Sequence, residues 1–85
     1  MLYRCECCGF YSLPEESAGS DNICPVCYWQ DDLVQLEDIN FEGGANGVSL
    51  NKARKNYALF AASEDKFTGN VRKPLYHELP ENQQF

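Results

Sequence analysis

Eighty-five residues suffice for one domain and are short for two, and a hydrophobic core of that size leaves little net stability unless something else contributes. Aromatic residues at 13% and hydrophobic residues at 44% exclude wholesale disorder, and no apolar run approaches the roughly 20 residues that span a bilayer. A formal net charge of -6 argues against nucleic acid as a partner, because such a surface repels phosphate backbones.

Leu2-Tyr3-Arg4 reads as a short strand running directly into Cys5, with no apolar leader segment ahead of it. Cys5 and Cys8 form one Cys-x-x-Cys pair, and Cys24 and Cys27 form a second after the fifteen residues Gly9 to Ile23. That spacing is the pattern of a four-cysteine zinc site, in which two turns supply two thiolates each to one tetrahedral ion. Apparent zinc-binding free energies of roughly 10–16 kcal/mol in finger peptides exceed the net stability of an ordinary small domain, so one structural zinc supplies what the core lacks. Two disulfides are the alternative. The odd count of five cysteines, the missing leader and the paired spacing favour reduced thiols and a cytoplasmic protein.

Cys7 is the cysteine left over. As a ligand in place of Cys5 or Cys8 it worsens the chelate spacing, so it is expected as a small side chain buried beside the site, with a reactive thiol as the other reading. Gly9 follows the first pair, where a positive φ lets the chain turn back under the sulfurs. Phe10-Tyr11-Ser12-Leu13 leaves as a strand, and Pro14 to Asn22 is a turn-rich loop that reverses the chain. Pro25 pre-sets φ in the second turn, and Tyr28-Trp29 is expected to continue as another strand. Two such turns facing one ion make a zinc-ribbon-like unit.

Between Gln30 and Asp38 the apolar residues Leu33, Val34 and Leu36 fit a short helical turn or an irregular segment. Asp31 and Asp32 are expected to cap that turn and face water; the competing reading is an acid pair or a hard-metal site. Phe41 to Val48 is glycine-rich and matches neither phosphate-binding fingerprint, so a tight loop leading into a helix is expected. Ser49 stands as the N-cap. The helix runs from about Leu50 to Ala62, with Leu50, Ala53, Tyr57, Phe60 and Ala61 on one face and Asn51, Lys52, Lys55 and Asn56 pointing away. Tyr11, Leu13, Tyr28 and Trp29 are the surface expected to cover that face, giving one merged core. Phe67, Val71, Leu75 and Tyr76 are expected to pack as an extended arm, and Pro80 to Phe85 reads as a loose tail. His77, the single histidine, is expected exposed or hydrogen-bonded, since four cysteines already complete the site.

The predicted fold class is therefore small α+β: a zinc-ribbon-like unit with two Cys-x-x-Cys knuckles on short antiparallel strands, against one amphipathic helix. A single domain spans 1–85, with the zinc module at about 2–32, the glycine-rich loop at 42–48, the helix at about 50–62, and the arm and tail at about 64–85. Charge divides along the same line. Residues 1–48 carry nine acids and one base, and residues 49–85 carry four acids and six bases.

Cys5-Glu6-Cys7-Cys8-Gly9-Phe10, the run Ile23 to Asp32, Gly43 to Asn51 with the helix through Tyr57, and Val71-Arg72-Lys73-Pro74 together resemble the bacterial cysteine-rich CPCC domain family. The resemblance covers most of the chain, from about Cys5 to Pro74. Glu6 stands where the family name has proline, which leaves the first turn less rigid. The resemblance implies a small zinc-binding bacterial domain and does not fix a biochemical role.

The leading expectation is a non-enzymatic, zinc-stabilised protein-interaction module with no membrane association. Its acidity suits a partner with a basic surface, as when an immunity or antitoxin-type protein covers a toxin. A hydrolase-type enzyme using Cys7, or Asp31 and Asp32 with His77, lacks the spacing of a nucleophile, its base and an orienting group. A nucleic-acid-binding ribbon using Lys52, Lys55, Arg72 and Lys73 is opposed by the net charge.

Overall fold

In the computed structural model, which describes residues 2–83, two short strands, β1 (Tyr3–Arg4) and β2 (Tyr11–Leu13), pair antiparallel on either side of the first cysteine turn. Tyr3 pairs with Leu13 and Arg4 with Tyr11, so Ser12 is an extra residue in the ladder. This bulge breaks the alternation of a strand and turns both Ser12 and Leu13 inward.

The two Cys-x-x-Cys segments bend in the same way. Gly9 N–H donates to Cys5 O at 2.8 Å and Cys5 N–H to Phe10 O at 2.8 Å; Tyr28 N–H donates to Cys24 O at 2.8 Å and Cys24 N–H to Trp29 O at 2.9 Å. Each turn closes on a residue with positive φ, +83° at Gly9 and +69° at Tyr28. Glycine takes that conformation freely, whereas a bulky side chain in it is an outlier that its surroundings must hold. The Tyr28 ring packs at a tilt of 47° against Phe67 with centroids 4.6 Å apart, a contact that fixes it there. Positive φ at Tyr28 is also why the expected second strand does not form: beyond an isolated Ile23–Gln30 bridge, Tyr28-Trp29 belongs to the turn.

Helix α1 (Leu33–Glu37) begins at Asp32, whose carboxylate accepts from Gln35 N–H at 3.1 Å. Its inward residue is Gln35, fully buried, and not an apolar one. Gln35 Nε2 donates to Phe41 O and Val48 O, while Oε1 accepts from the Asn46 backbone N–H and from Asn46 Nδ2. The amide's capacity is filled, which removes the cost of burying it. This network gathers the glycine-rich loop around one side chain, and a Cβ on Gly44 would stand 2.6 Å from Gln35 Cγ, a clash that explains the glycine.

Helix α2 (Leu50–Phe60) is capped by Ser49 Oγ, which accepts from Lys52 N–H at 3.1 Å. It stops two residues earlier than its pattern suggests, because Ala61 takes a left-handed conformation at φ +61° and sends Ala62 and Ser63 into the core. Ala61 is consequently exposed. Asn56, expected to point outward, is buried and donates through Nδ2 to Ser63 O at 2.9 Å, holding the returning chain.

One hydrophobic cluster joins the cysteine turns to α2: Leu13, Val26 and Trp29 are buried with Leu50 and Ala53. Phe10 meets the helix, its ring 6.2 Å from that of Tyr57, while Tyr28 faces Phe67. Glu6 ties α2 to the first turn from outside. Arg54 Nε donates to its carbonyl at 2.8 Å, and its carboxylate pairs with Arg4 and Arg54.

The expected extended arm is wound instead through three short 3-10 turns, Asp65–Phe67, Tyr76–Glu78 and Pro80–Asn82. Leu75 and Tyr76, expected to pack, are exposed. The anchor of this segment is Glu78, 2% exposed, which binds the Arg72 guanidinium through two parallel 2.8 Å bonds and also accepts from Leu75 N–H. Arg72 holds the Glu78 carboxyl below its ordinary pKa. Of the expected loose tail, Gln84 and Phe85 lie outside the described residues.

Candidate metal centre

The Sγ atoms of Cys5, Cys8, Cys24 and Cys27 all lie within 4.8 Å of one another, with Cys5, Cys24 and Cys27 fully buried and Cys8 half-buried. Each thiol of the first turn meets one of the second: Cys5 and Cys27 are 3.6 Å apart, Cys8 and Cys24 3.8 Å. A regular tetrahedron built on metal–sulfur bonds of about 2.3 Å has edges of about 3.8 Å, so these separations fit a single four-coordinate ion. All five cysteines are free thiols, and the disulfide alternative is not found.

The donors around the sulfurs are unevenly shared. Cys24 Sγ lies 2.9 Å from Ser12 Oγ and accepts from Val26 N–H at 3.3 Å. Hydrogen bonds from Cys27, Cys5 and Cys8, with Ser12 adding to them, pull the Cys24 thiol down, while the bonds to Cys24 push Cys27 and Cys8 up. Four thiolates gathered in so small a volume would repel one another, and a thiophilic cation among them offsets that repulsion. Tyr57, desolvated and near the thiols of Cys8, Cys27 and Cys24, is pushed up to about 12 and stays neutral.

The second turn is held from the far half of the chain as well. Ser63 N–H donates to Cys27 O at 2.8 Å and Arg72 N–H to Pro25 O at 3.2 Å, so the chain beyond α2 fixes the loop that carries two of the four thiols. Cys7 is buried in the core, outside the four-sulfur cluster. This is the position expected for a small buried neighbour.

The acids lie elsewhere and do two different things. Asp32 caps α1 as expected and also accepts from Ala45 N–H. Asp31 does not face water: it is 1% exposed and takes five hydrogen bonds, from Ser17 Oγ and from the Ala18, Gly19 and Ser20 N–H groups and Ser20 Oγ. Burial opposes its charge, but the bonds from Ser20, Gly19 and Ser17 outweigh that and hold its pKa below the ordinary value. It ties down the loop between the two turns. His77 is exposed and is not part of the four-cysteine group.

Ser12 is the site residue that the sequence reading missed. Nothing in its spacing marks it, since only the bulge at its own position points its hydroxyl at Cys24.

Fold and site together define a small α+β domain with four cysteines placed to hold one metal ion. The chain matches the family model described as Cysteine-rich CPCC over residues 3–78, and it belongs to that family. No curated protein matches it. No helix among the described residues is long and apolar enough to cross a membrane.

Proposed function

We propose that this chain is a non-enzymatic protein-interaction module built around one structural zinc, with Cys5, Cys8, Cys24 and Cys27 as its ligands. The observation that carries the metal reading is the cluster of four sulfurs, three of them on fully buried residues, all within 4.8 Å of one another and with the two pairs across the turns at 3.6 and 3.8 Å. Zinc with four thiolate ligands has a full coordination shell and supplies folding energy rather than an activated water. The two similar turns then act as zinc knuckles, and the strands flanking the first give the unit its ribbon-like character.

Against a hydrolase, Asp31 spends its carboxylate on the loop, and among the described residues His77 joins no cluster with the cysteines or with Asp31 and Asp32. Against a nucleic-acid ribbon, Arg72 is committed to Glu78, and the run between Arg4 and Lys52 contains no lysine or arginine. The acidic surface supports a protein partner with a basic face. Affinity capture of the zinc-loaded chain from its native host is expected to recover a stoichiometric protein partner that salt releases; recovery of no stable partner contradicts the reading.

A further inference from the structure

Helix α1 buries Gln35 and half-buries Leu36, yet leaves Leu33 and Val34 46% and 54% exposed. Ile39 and Phe41, in the turn that follows, are 39% and 40% exposed. Asp38 N–H donates to Val34 O and Phe41 N–H to Asp38 O, folding this run back on itself, and Gln35 Nε2 fixes it through Phe41 O. Four large apolar side chains therefore stand on one ten-residue stretch, 33–42, while a glutamine fills the interior beneath them. Single exposed apolar residues are ordinary on protein surfaces; a group of them on a rigid segment marks a contact surface.

The charge on that stretch has one sign. Glu37, Asp38 and Glu42 are exposed, none makes an ion pair among the described residues, and no base lies in the sequence between Arg4 and Lys52. A second copy of this chain would bring the same acids face to face, and nucleic acid or an anionic lipid surface would be repelled too. The charge thus selects among occupants.

We propose that the 33–42 surface docks an amphipathic segment of a partner protein that bears lysine or arginine, with its apolar side chains on the four exposed apolar residues and its cations on Glu37, Asp38 and Glu42. The proposal rests on the interaction-module reading and gives that module its binding face. Apolar contact supplies affinity, and the acidic rim supplies selection and a fast encounter.

The test uses the zinc-loaded, nitrogen-15-labelled chain with a synthetic amphipathic helical peptide of leucine and lysine as the probe, and a leucine and glutamate peptide as control. Amide shifts are expected to concentrate in residues 33–42 with the lysine peptide and to be absent with the control. Val34→Ser combined with Glu37→Lys and Glu42→Lys should weaken binding by at least about tenfold with zinc content and circular dichroism unchanged, and Glu37→Lys alone should weaken it in the same direction. Shifts centred on another face, such as Glu15 and Glu16, equal affinity of the variants, or no shifts at all would overturn the proposal. A partner captured from the host equally well by wild type and triple variant would remove this surface and leave the module standing, whereas capture of no partner would remove the module itself.

Discussion

Cys24→Ser is expected to unfold the protein. Cys24 is the most heavily supported of the four sulfurs, facing Cys8 Sγ at 3.8 Å and Ser12 Oγ at 2.9 Å and accepting from Val26 N–H, so its loss leaves a three-ligand site with orphaned donors. With zinc binding worth roughly 10–16 kcal/mol in comparable four-ligand peptides and net stability of a small domain at about 5–15 kcal/mol, losing most of the metal's contribution exceeds what the rest of the fold retains. The core cannot compensate, because three of the nine buried residues that form it, Cys5, Cys24 and Cys27, belong to the four-sulfur cluster itself. Trp29, the single tryptophan and 3% exposed within that core, reports the result: its emission should shift to the red in the variant, and in wild type when a strong chelator is added. Unchanged emission in both cases would mean that the fold stands without the metal.

Asp31→Asn should cost about 3 kcal/mol in urea unfolding of the zinc-loaded protein. Three backbone N–H groups and one hydroxyl converge on Oδ2; an asparagine that places its oxygen there keeps only neutral versions of those bonds, loses the charge that strengthens all of them, and obliges the Ser17 hydroxyl to turn from donor to acceptor. The pH dependence follows from the sign of the shift. The folded-state pKa of Asp31 is lowered, so its contribution is fully present above the unfolded value near 3.8 and is lost only as pH falls through the still lower folded value. The difference between wild type and variant should therefore be flat from pH 8 down to pH 5. A difference that shrinks across that range would show that the carboxyl is raised rather than lowered.

Local patterns were readable in the chain because they need only neighbouring residues. The cysteine spacing, the positive φ at Gly9, the Ser49 cap and the spacing of Leu50 and Ala53 each follow from geometry within a turn or two. What the sequence concealed depends on distant partners. Asp31 looks like a solvated cap until Ser17 to Ser20 close over it, and nothing between Val34 and Leu36 marks Gln35 as buried until Asn46, Phe41 and Val48 satisfy its amide. Asn56 and Glu78 are polar residues buried for the same reason, by Ser63 and Arg72. Tyr28 shows the converse limit: a β-favouring residue takes a glycine conformation because the second cysteine turn requires it and Phe67 holds its ring.

Glu6 connects the two kinds of information. A proline at that position would stiffen the first turn through its own ring. Here the turn is held instead by contacts to Arg4 and Arg54, one of them from α2, so rigidity comes from tertiary structure.

Metal content tests the proposed four-cysteine zinc site most directly. Elemental analysis with native mass spectrometry of the purified chain should find one zinc per chain in wild type and none retained through purification in Cys24→Ser. A metal-free folded wild type, or a Cys24→Ser variant that keeps its zinc, would contradict the account.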